Sequence, residues 1–575
     1  MEKELISLIN ERGLSMFDKS KNGVRNSDLM IFKTPDGKSV HSRVLSKISQ
    51  GFVFSDTEKL WGLFSFTENL EDIQKRQEFF KNIERGIENN VLNELKIPKQ
   101  SWKPKYGIVA VTENDKTFNQ LKNLGCPVKF LISEYDVQSL ENYEVVQVVD
   151  CGDFSRALEQ LPQAVFLDSI DDVYLERYLE ILSGWKENLE LLDKNKLNDK
   201  ISEIVSQLYP LLNIIKKEED KIISRKDIES AVEKINIEIF NQIKQMTIGG
   251  ESLFAMLSKQ QMPKELEELI KKEIANSGLP SQIFLFSLPI GIDEEELGLL
   301  IKKQSNSEHG SFAEKVKRHS KQLREIPVKI KELTAELILY DFKAGVSEYI
   351  KETNSFPSCS EEFLISNSKN ILLDSAKPIS FQLDKDNICS ILTGANSGGK
   401  TTLLEHIIQL ISLFQLGLPI SGEVKMPLFL EVYYFAKNKG TMNKGAFENL
   451  LTQMSKIKVG KQTLILADEI EAVTEPGVAG MIVCASAQYF IEKNCFVVIA
   501  THLGQEIQKK LPKNARIDGI EAKGLDENYE LIVDHNPVLG RLANSTPELI
   551  VEKMAGYYKE EYFNYISEYL KNSKI

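Results

Sequence analysis

Hydrophobic and polar positions follow three different patterns along this chain, and the changes between them indicate its regions. Between residues 104 and 170, short apolar and β-branched runs (GIVAV, VKFLI and EVVQVV) alternate with the helical patterns TFNQLKNLG and DFSRALEQL. Short strands separated by helices and turn residues predict a small α/β module.

From about residue 171 to 275 the pattern becomes helical, because Leu, Ile, Lys and Glu dominate while Gly and Pro are few. A second helical stretch begins near Ser311 and contains Pro327, which is expected to kink or restart the helix because proline has no backbone N–H. Its apolar positions keep a strict spacing of three and four, which predicts a long helix packed lengthwise on another, either in a bundle core or in a coiled-coil-like arm. These positions are Leu323, Ile326, Ile330, Leu333, Leu337, Tyr340 and Ala344.

After Phe356, strand-like apolar runs alternate with helical patterns again. ICSILTG precedes TTLLEHIIQLISLF, and further along the chain a helical segment separates TLILADE from CFVVIATH. Strands that alternate with helices in this way predict a mostly parallel sheet.

A glycine-rich loop joins ICSILTG to the helix that follows it. Gly394, Gly399, Lys400 and Thr401 satisfy the pattern G-x-x-x-x-G-K-[ST], which would match by chance about 0.02 times in a chain of this length. The backbone N–H groups of such a loop face phosphates, the lysine reaches the β- and γ-phosphates, and the threonine hydroxyl binds Mg²⁺. The alternative is a purely structural glycine-rich turn. The predicted nucleotide-binding residues are Gly394, Ala395, Asn396, Ser397, Gly398, Gly399, Lys400, Thr401 and Thr402.

Two later strands also end in residues suited to phosphate chemistry. TLILADE ends in Asp468 and Glu469, 68 residues after Lys400 counted to the aspartate. Asp468 is predicted to hold Mg²⁺ together with Thr401, and Glu469 to orient or deprotonate the attacking water. CFVVIATH ends at His502, which is predicted to sense the γ-phosphate. The alternatives are a salt bridge at a strand end for the carboxylates and a surface or cap role for the histidine.

Composition and charge narrow the class of protein. Apolar residues make up 42% of the 575 residues and charged residues 27%, as in ordinary globular proteins. We find no membrane span and no signal peptide, and the six scattered cysteines include no CxxC pair, so we expect a reduced, cytoplasmic protein. The net charge of −13 counts against DNA binding unless a local basic face exists.

One stretch could supply such a face. Residues 314–331 contain seven Lys or Arg against two acidic residues. This stretch could contact phosphates without reading sequence, in a salt-dependent way, or it could be an ordinary solvated helix face. The candidate DNA-binding residues are Lys315, Lys317, Arg318, Lys321 and Arg324.

The motifs together resemble those of the MutS family of DNA mismatch-repair ATPases. GANSGGKT is similar to that family's loop, including Asn396, while LADEI and ATH match its second and third motifs. PLF (427–429) stands where the family has a similar triplet, and ENLEDIQKRQEFF with Arg76 and Gln77 looks like the start of the family's lever domain. The resemblance is specific over about 390–505 and weaker over 57–390.

Departures from the family pattern indicate which branch is nearest. Only about 65 residues precede the lever-like segment, too few for the domain that carries the mismatch-reading Phe-x-Glu wedge, and Phe66-Thr67-Glu68 stands in the wrong context. EAVTEPG (471–477) is closer to the second MutS lineage, yet only 73 residues follow His502, so we expect that lineage's C-terminal nuclease to be missing. The chain looks like the reduced MutS-like proteins of archaea.

The resemblance implies a fold and a domain order. It implies an α/β P-loop ATPase domain of the ABC-like type at the C-terminus, preceded by a mostly α-helical lever and clamp domain with a small inserted α/β module. The expected ranges are a small N-terminal region at 1–56, helical core at 57–103 and 171–355, the module at 104–170, and the ATPase domain at 356–575.

The resemblance also implies function. It implies ATP and Mg²⁺ as cofactors and a homodimer whose helical arms close round branched or mismatched DNA in repair or recombination, alongside other repair proteins. The segment that reaches the partner's nucleotide in the family corresponds to 443–453, where Gly445 and Phe447 are trans-site candidates although two hydroxyl residues are missing. One alternative is an ATPase switch that acts on a protein partner without clasping DNA. An ATPase of the SMC type is another, but the chain has little coiled coil and no LSGGQ-like signature.

Overall fold

A computed structural model gives the fold over most of the chain. It describes residues 1–17, 31–104, 106–215, 225–245, 262, 264–298, 300, 312, 315–394, 399–437, 444–469, 476–525, 531–543, 547–558 and 560–572. The predicted loop residues Ala395, Asn396, Ser397 and Gly398 lie outside these ranges.

Helices occur throughout the described residues. In chain order they are α1 (Glu2–Arg12), α2 (Pro35–Ser49), α3 (Leu70–Lys81), α4 (Asp115–Asn123), α5 (Glu134–Gln138), α6 (Ser155–Leu158), α7 (Glu176–Gly184), α8 (Lys186–Asn195), α9 (Asp199–Leu208), α10 (Leu212–Ile215), α11 (Arg225–Ile243), α12 (Lys264–Asn276), α13 (Ser320–Ile350), α14 (Lys400–Leu416), α15 (Lys444–Met454), α16 (Pro476–Glu492), α17 (Gly504–Gln508), α18 (Pro547–Tyr558) and α19 (Glu561–Asn572).

Strands are short and fall into several sheets. They are β1 (Ile108–Thr112), β2 (Val128–Phe130), β3 (Val145–Val148), β4 (Ala164–Phe166), β5 (Phe284–Leu285), β6 (Gly291–Ile292), β7 (Ser358–Cys359), β8 (Phe363–Ser368), β9 (Ile379–Leu383), β10 (Cys389–Gly394), β11 (Glu423–Met426), β12 (Glu431–Phe435), β13 (Thr463–Asp468), β14 (Phe496–Ala500), β15 (Ala515–Ile520), β16 (Ala522–Leu525) and β17 (Leu531–Val533).

The chain divides into two compact units. One comprises Met1–Glu94 with Thr334–Ile575, and the other comprises Leu95–Leu333. The division therefore groups the first 94 residues with the C-terminal region, unlike the boundaries at 56 and 355 expected from the sequence, and the functional domain assignment stays a prediction.

A parallel sheet forms the centre of the first unit. Its strand order is β12-β13-β14-β10-β15, and every neighbouring pair is parallel. Residues of β13 and β14 are buried on both faces, as expected for the apolar, β-branched runs of a parallel sheet covered by helices. The sequence predicted this sheet from TLILADE and CFVVIATH, and the observed α/β architecture is compatible with a P-loop ATPase.

The N-terminal segment extends this sheet at its β12 edge. Phe32 forms a parallel bridge with Val432, whose N–H donates to the Ile31 carbonyl at 2.9 Å. Helix α2 then packs against α14 and β12. The segment around Phe32, 400 residues before Val432 in sequence, thus pairs with the edge of the central sheet that would otherwise be open.

Helix α13 runs from Ser320 to Ile350 with Pro327 inside it, so of the two predicted outcomes the restart at the proline does not occur, and the kink stays a prediction. The missing N–H and the clash of the ring cost about 3 kcal/mol in a helix interior. Leu323, Ile326 and Leu333 are buried on the same helix, and that burial offsets the cost.

The second unit contains the predicted α/β module. Its four strands are parallel in the order β2-β1-β3-β4. Helices dominate the remaining described residues of this unit, as the pattern after residue 171 predicted; α11 and α12 share a separate small apolar core with the β5–β6 hairpin.

Two properties bear on the compartment. All six cysteines are free; four are buried, whereas Cys151 is half-buried and Cys359 is exposed. Among the described residues, no helix combines the length and apolar character that a membrane span requires.

Candidate nucleotide-binding site

Strand register brings the predicted motifs to one edge of the central sheet. Ala467 on β13 is paired with both Phe435 on β12 and Ile499 on β14, and Ala500 is paired with Leu392 on β10. Because the strands are parallel, the residues that follow these positions leave the sheet together at its carboxyl edge. Ligands bind at this edge in open α/β sheets.

Gly394 and Gly399, at the two ends of the glycine-rich loop, need to be glycine. Gly394 has φ +132°, and a Cβ there would lie 2.3 Å from the Ile520 carbonyl oxygen. Gly399 has φ +91° and immediately precedes helix α14. These conformations are open to glycine because it has no Cβ. Gly399 stands at the start of the helix, where the first backbone N–H groups have no partner within the helix itself.

Lys400 is buried, and its ammonium group points across the strand ends. Nζ donates to the Gly394 carbonyl oxygen at 2.6 Å and lies 3.3 Å from His502 Nδ1 and 4.0 Å from Glu469 Oε1. Only 2% of this side chain is exposed. A lysine buried at the end of a phosphate-type loop supplies a fixed positive charge to that loop.

Thr401 and Asp468 meet as predicted for a magnesium site. The Thr401 hydroxyl donates to Asp468 Oδ2 at 2.5 Å. Asp468 Oδ1 is buried and has no hydrogen-bond partner among the described residues. Burial raises the pKa of Asp468, although the Thr401 hydrogen bond opposes this shift.

This unpartnered oxygen tests whether the residues fit Mg²⁺. A buried carboxylate oxygen without a partner is costly, whereas a carboxylate with an adjacent hydroxyl suits a hard cation. In the described part of the chain no group of three or more His, Cys, Asp or Glu forms a self-contained metal site. The pair therefore fits a cation that takes its other ligands from phosphate and water, and Thr401 and Asp468 would hold it.

Glu469 is held in an uncommon backbone conformation. Its φ is +48°, and its N–H donates to the Ala500 carbonyl at 2.9 Å. A non-glycine residue in the left-handed region costs about 1–3 kcal/mol and is concentrated at functional sites. The conformation directs the side chain back across the strand ends, where Oε1 lies 2.5 Å from His502 Nε2.

Lys437 also binds Glu469, and the sequence analysis missed it. Its ammonium group forms an ion pair with Glu469 Oε2. Burial by itself would raise the pKa of Glu469, but hydrogen bonds and positive charge from Lys437 and His502 outweigh burial and lower it. Only its position could have indicated this role. Phe435 and Ala467 are paired on neighbouring strands, and Lys437 and Glu469 each follow the paired residue by two positions.

His535 is a second residue at this site without a motif. A Cβ placed on Gly399 would lie 3.1 Å from the His535 ring. His535 follows β17 and had no sequence context that linked it to the loop. Thr402, by contrast, lies in the first turn of α14 as predicted.

The remaining candidates lie elsewhere. Gly445 and Phe447 fall in the first turn of α15, and the Phe447 side chain is outside the described structure. In the second unit, Lys317, Arg318 and Lys321 are exposed and Lys315 is half-buried. Arg324 forms an ion pair with Asp172 at 3.1 Å, which would have to be broken for it to bind a phosphate.

A parallel sheet that gathers a glycine loop, a buried lysine and a threonine–aspartate pair at one edge is compatible with the P-loop ATPase class. No family model matches the chain. It is 29% identical to "DNA-binding protein MutS2" of Pyrococcus furiosus over 564 residues, covering 90% of this chain and 96% of that protein.

Two "Endonuclease MutS2" proteins are also similar. The chain is 23% identical to that of Caldanaerobacter subterraneus over 447 residues, with 70% of this chain and 55% of the relative covered. It is 24% identical to that of Caldicellulosiruptor bescii over 491 residues, with 81% and 59% covered. The chain thus spans somewhat more than half the length of these two relatives. The predicted resemblance to the MutS family is confirmed, because the chain is similar over most of its length to proteins named MutS2.

Proposed function

We propose that the chain is an ATP-dependent DNA-binding protein that uses ATP hydrolysis to open and close a dimeric clamp. The observation that carries the enzymatic part is the cluster of Lys400, Thr401, Asp468, Glu469 and His502 at one sheet edge, with Asp468 Oδ1 left without a partner among the described residues. These are the residue types that phosphoryl transfer to water needs, in positions that parallel strands bring together.

Each side chain has a distinct part in this proposal. Mg²⁺–ATP, when bound, supplies the transferable phosphoryl group and the cation that neutralises its charge. Lys400 contributes positive charge at the phosphates, and Thr401 and Asp468 hold the cation. Glu469 orients the attacking water or accepts its proton, and His502 holds the Glu469 carboxylate in place.

DNA binding is supported by two observations. The relative matched along 96% of its length is named a DNA-binding protein. The stretch that contains Lys317, Arg318 and Lys321 presents exposed positive charge on a chain whose net charge is −13. Contacts of this kind are made to phosphates, so we propose recognition of DNA shape, such as a junction or branch, without reading of base sequence.

The test is binding of the Glu469→Gln protein to plain duplex, single-mismatch duplex, four-way junction and single strand, with and without ATP, at two salt concentrations. Nucleotide-dependent and salt-sensitive preference for the junction is expected. The same affinity for all four DNAs, or an affinity that ignores salt, would contradict the proposal.

A charge-matched pair of variants locates the DNA surface. Lys317→Glu with Lys321→Glu should weaken binding and make the dependence of log K on log salt shallower by about 2, because each phosphate contact contributes about 0.9. Lys116→Glu with Lys122→Glu makes the same change in charge at exposed positions of the α/β module and should have little effect. Equal losses in both variants would indicate only long-range electrostatics.

A second candidate is an ATPase switch for a protein partner, without DNA clasping. The α/β module favours it, because Ile132 and Tyr135 are 79% and 82% exposed near one another in sequence. Absence of binding to every DNA in the panel, together with retained ATP hydrolysis in the unmodified protein, would favour this candidate.

A further inference from the structure

Lys437 reaches the nucleotide site through strand register alone. Phe435 pairs with Ala467, and Lys437 and Glu469 are each the second residue after the paired position. The two side chains therefore leave the carboxyl edge of the sheet beside each other. Their ion pair joins a half-exposed lysine, 48% accessible, to a carboxylate that is 9% accessible.

Lys437 binds the Glu469 carboxylate, which the proposed reaction needs to orient water. Glu469 Oε2 binds Lys437, while Oε1 binds His502 Nε2 and lies 4.0 Å from Lys400 Nζ. Each oxygen keeps a further lone pair, but these contacts fix the direction in which the carboxylate faces, and the Lys437 ammonium group competes with water for Oε2. Release of the Lys437 contact would leave Oε2 open to the attacking water.

Lys437 can be released from Glu469 without a change in the backbone. The backbone before it is fixed, because Ala436 N–H donates to Asp36 Oδ2 at 3.3 Å and Tyr434 N–H donates to Thr34 Oγ1 at 3.0 Å. The lysine side chain itself is half-exposed and flexible, and its ammonium group is readily hydrated. It can leave Glu469 without disturbing the sheet, whereas Lys400 is buried against Gly394.

We propose that Lys437 is a positioning residue that restrains Glu469 in the nucleotide-free protein and is withdrawn for hydrolysis. This inference rests on the proposed ATPase function, and it adds an ion pair that slows hydrolysis at the same site. The N-terminal segment that pairs with β12 helps to position Lys437, because Asp36 and Thr34 hold the end of the strand that leads to it.

The first test separates kcat from KM. Lys437→Met should raise kcat for ATP by about two- to fivefold, the range expected for loss of a partly exposed ion pair, and leave KM unchanged. Lys437→Arg keeps the pair and should behave like the unmodified protein. Lys458→Met, which removes the exposed ion pair with Glu431 in the same unit, is the matched control and should change neither constant.

A fall in kcat on Lys437→Met would overturn the inference, since the lysine would then assist the reaction. An unchanged kcat would equally overturn it. A rise in KM without a change in kcat would assign Lys437 to nucleotide binding and would overturn the restraining role.

A second test needs no nucleotide and no activity. In the nucleotide-free protein, the melting-temperature shifts of Lys437→Met and Glu469→Gln should not add: the double variant should shift by less than their sum, because both changes break one pair. Additive shifts would overturn the inference. Hydrolysis that survives Glu469→Gln would instead refute the proposed role of the glutamate, and non-additive shifts would still report the pair, so the two failures are distinguishable.

Discussion

Arg76 joins the N-terminal region to helix α14, and its substitution measures how much this connection stabilises the first unit. Its guanidinium group donates to the Gln415 carbonyl near the end of α14 and to the Ser65 carbonyl, both at 2.7 Å. The residue is buried, and burial lowers its pKa, although Asp72 opposes the shift. Gly417 allows the close approach, since a Cβ there would lie 2.4 Å from the Arg76 Cβ.

The magnitude follows from these two bonds. A hydrogen bond from a charged donor contributes about 1.5–3 kcal/mol, and a buried carbonyl left without its partner is costly. Arg76→Met keeps the apolar stem but loses both bonds, so we expect a loss of about 3–5 kcal/mol. For a unit of about 340 residues, whose unfolding entropy is about 0.7 kcal/mol/K, that corresponds to a fall in melting temperature of about 4–7 °C.

Differential scanning calorimetry of the nucleotide-free protein measures this fall. Arg43→Met is the matched control, because Arg43 also joins the N-terminal region to α14, through Glu405 at 2.7 Å, but is 48% exposed. An exposed pair contributes about 1 kcal/mol or less. The reasoning is refuted if Arg76→Met melts within about 1 °C of the unmodified protein, or if both variants fall equally.

Three further predictions concern the site and its surroundings. Lys400→Ala should abolish ATP binding or turnover, measured by equilibrium binding and phosphate release, because the buried charge at the loop is lost; unchanged affinity and turnover would contradict this. Glu469→Gln should retain ATP but slow hydrolysis by about 10²- to 10⁴-fold, and turnover at the normal rate would show that another residue is the base. Burial lowers the pKa of His41 and of His406 to about 4, below their usual value, so the unfolded state binds more protons between about pH 6.5 and 4. Stability should therefore fall as pH falls through this window, and His406→Gln should reduce the slope of urea-unfolding free energy against pH; an unchanged slope would show that this histidine does not contribute.

Much of the candidate nucleotide site could be predicted from the sequence because its pattern is local. A glycine loop between a strand and a helix has to carry its own lysine and threonine, so Lys400 and Thr401 were found by spacing alone. Asp468 and His502 were found because apolar strand runs of parallel sheets end at a common edge, and a polar residue at such an end is conspicuous. In the structure these residues lie close together: Lys400 is next to His502, and Thr401 is bonded to Asp468.

Lys437 and His535 were not found, because no local pattern marks them. Lys437 depends on which strand lies beside β13 and on the register between them, and neither is encoded within a short window of sequence. His535 depends on the chain returning to Gly399 after more than 130 residues. The register between β12 and β13, and the position of His535 near Gly399, are set by the packing of the whole sheet.

The same limit applies to the N-terminal segment and to Pro327. Local periodicity identified the helices and strands, since side-chain burial repeats with the period of each element. It could not show that Phe32 would pair with Val432, because an edge strand is completed by any segment that the tertiary structure brings there. Nor could it decide between a kink and a restart at Pro327, because the energy that offsets the local cost of a continuous helix α13 comes from burial of distant side chains against one another.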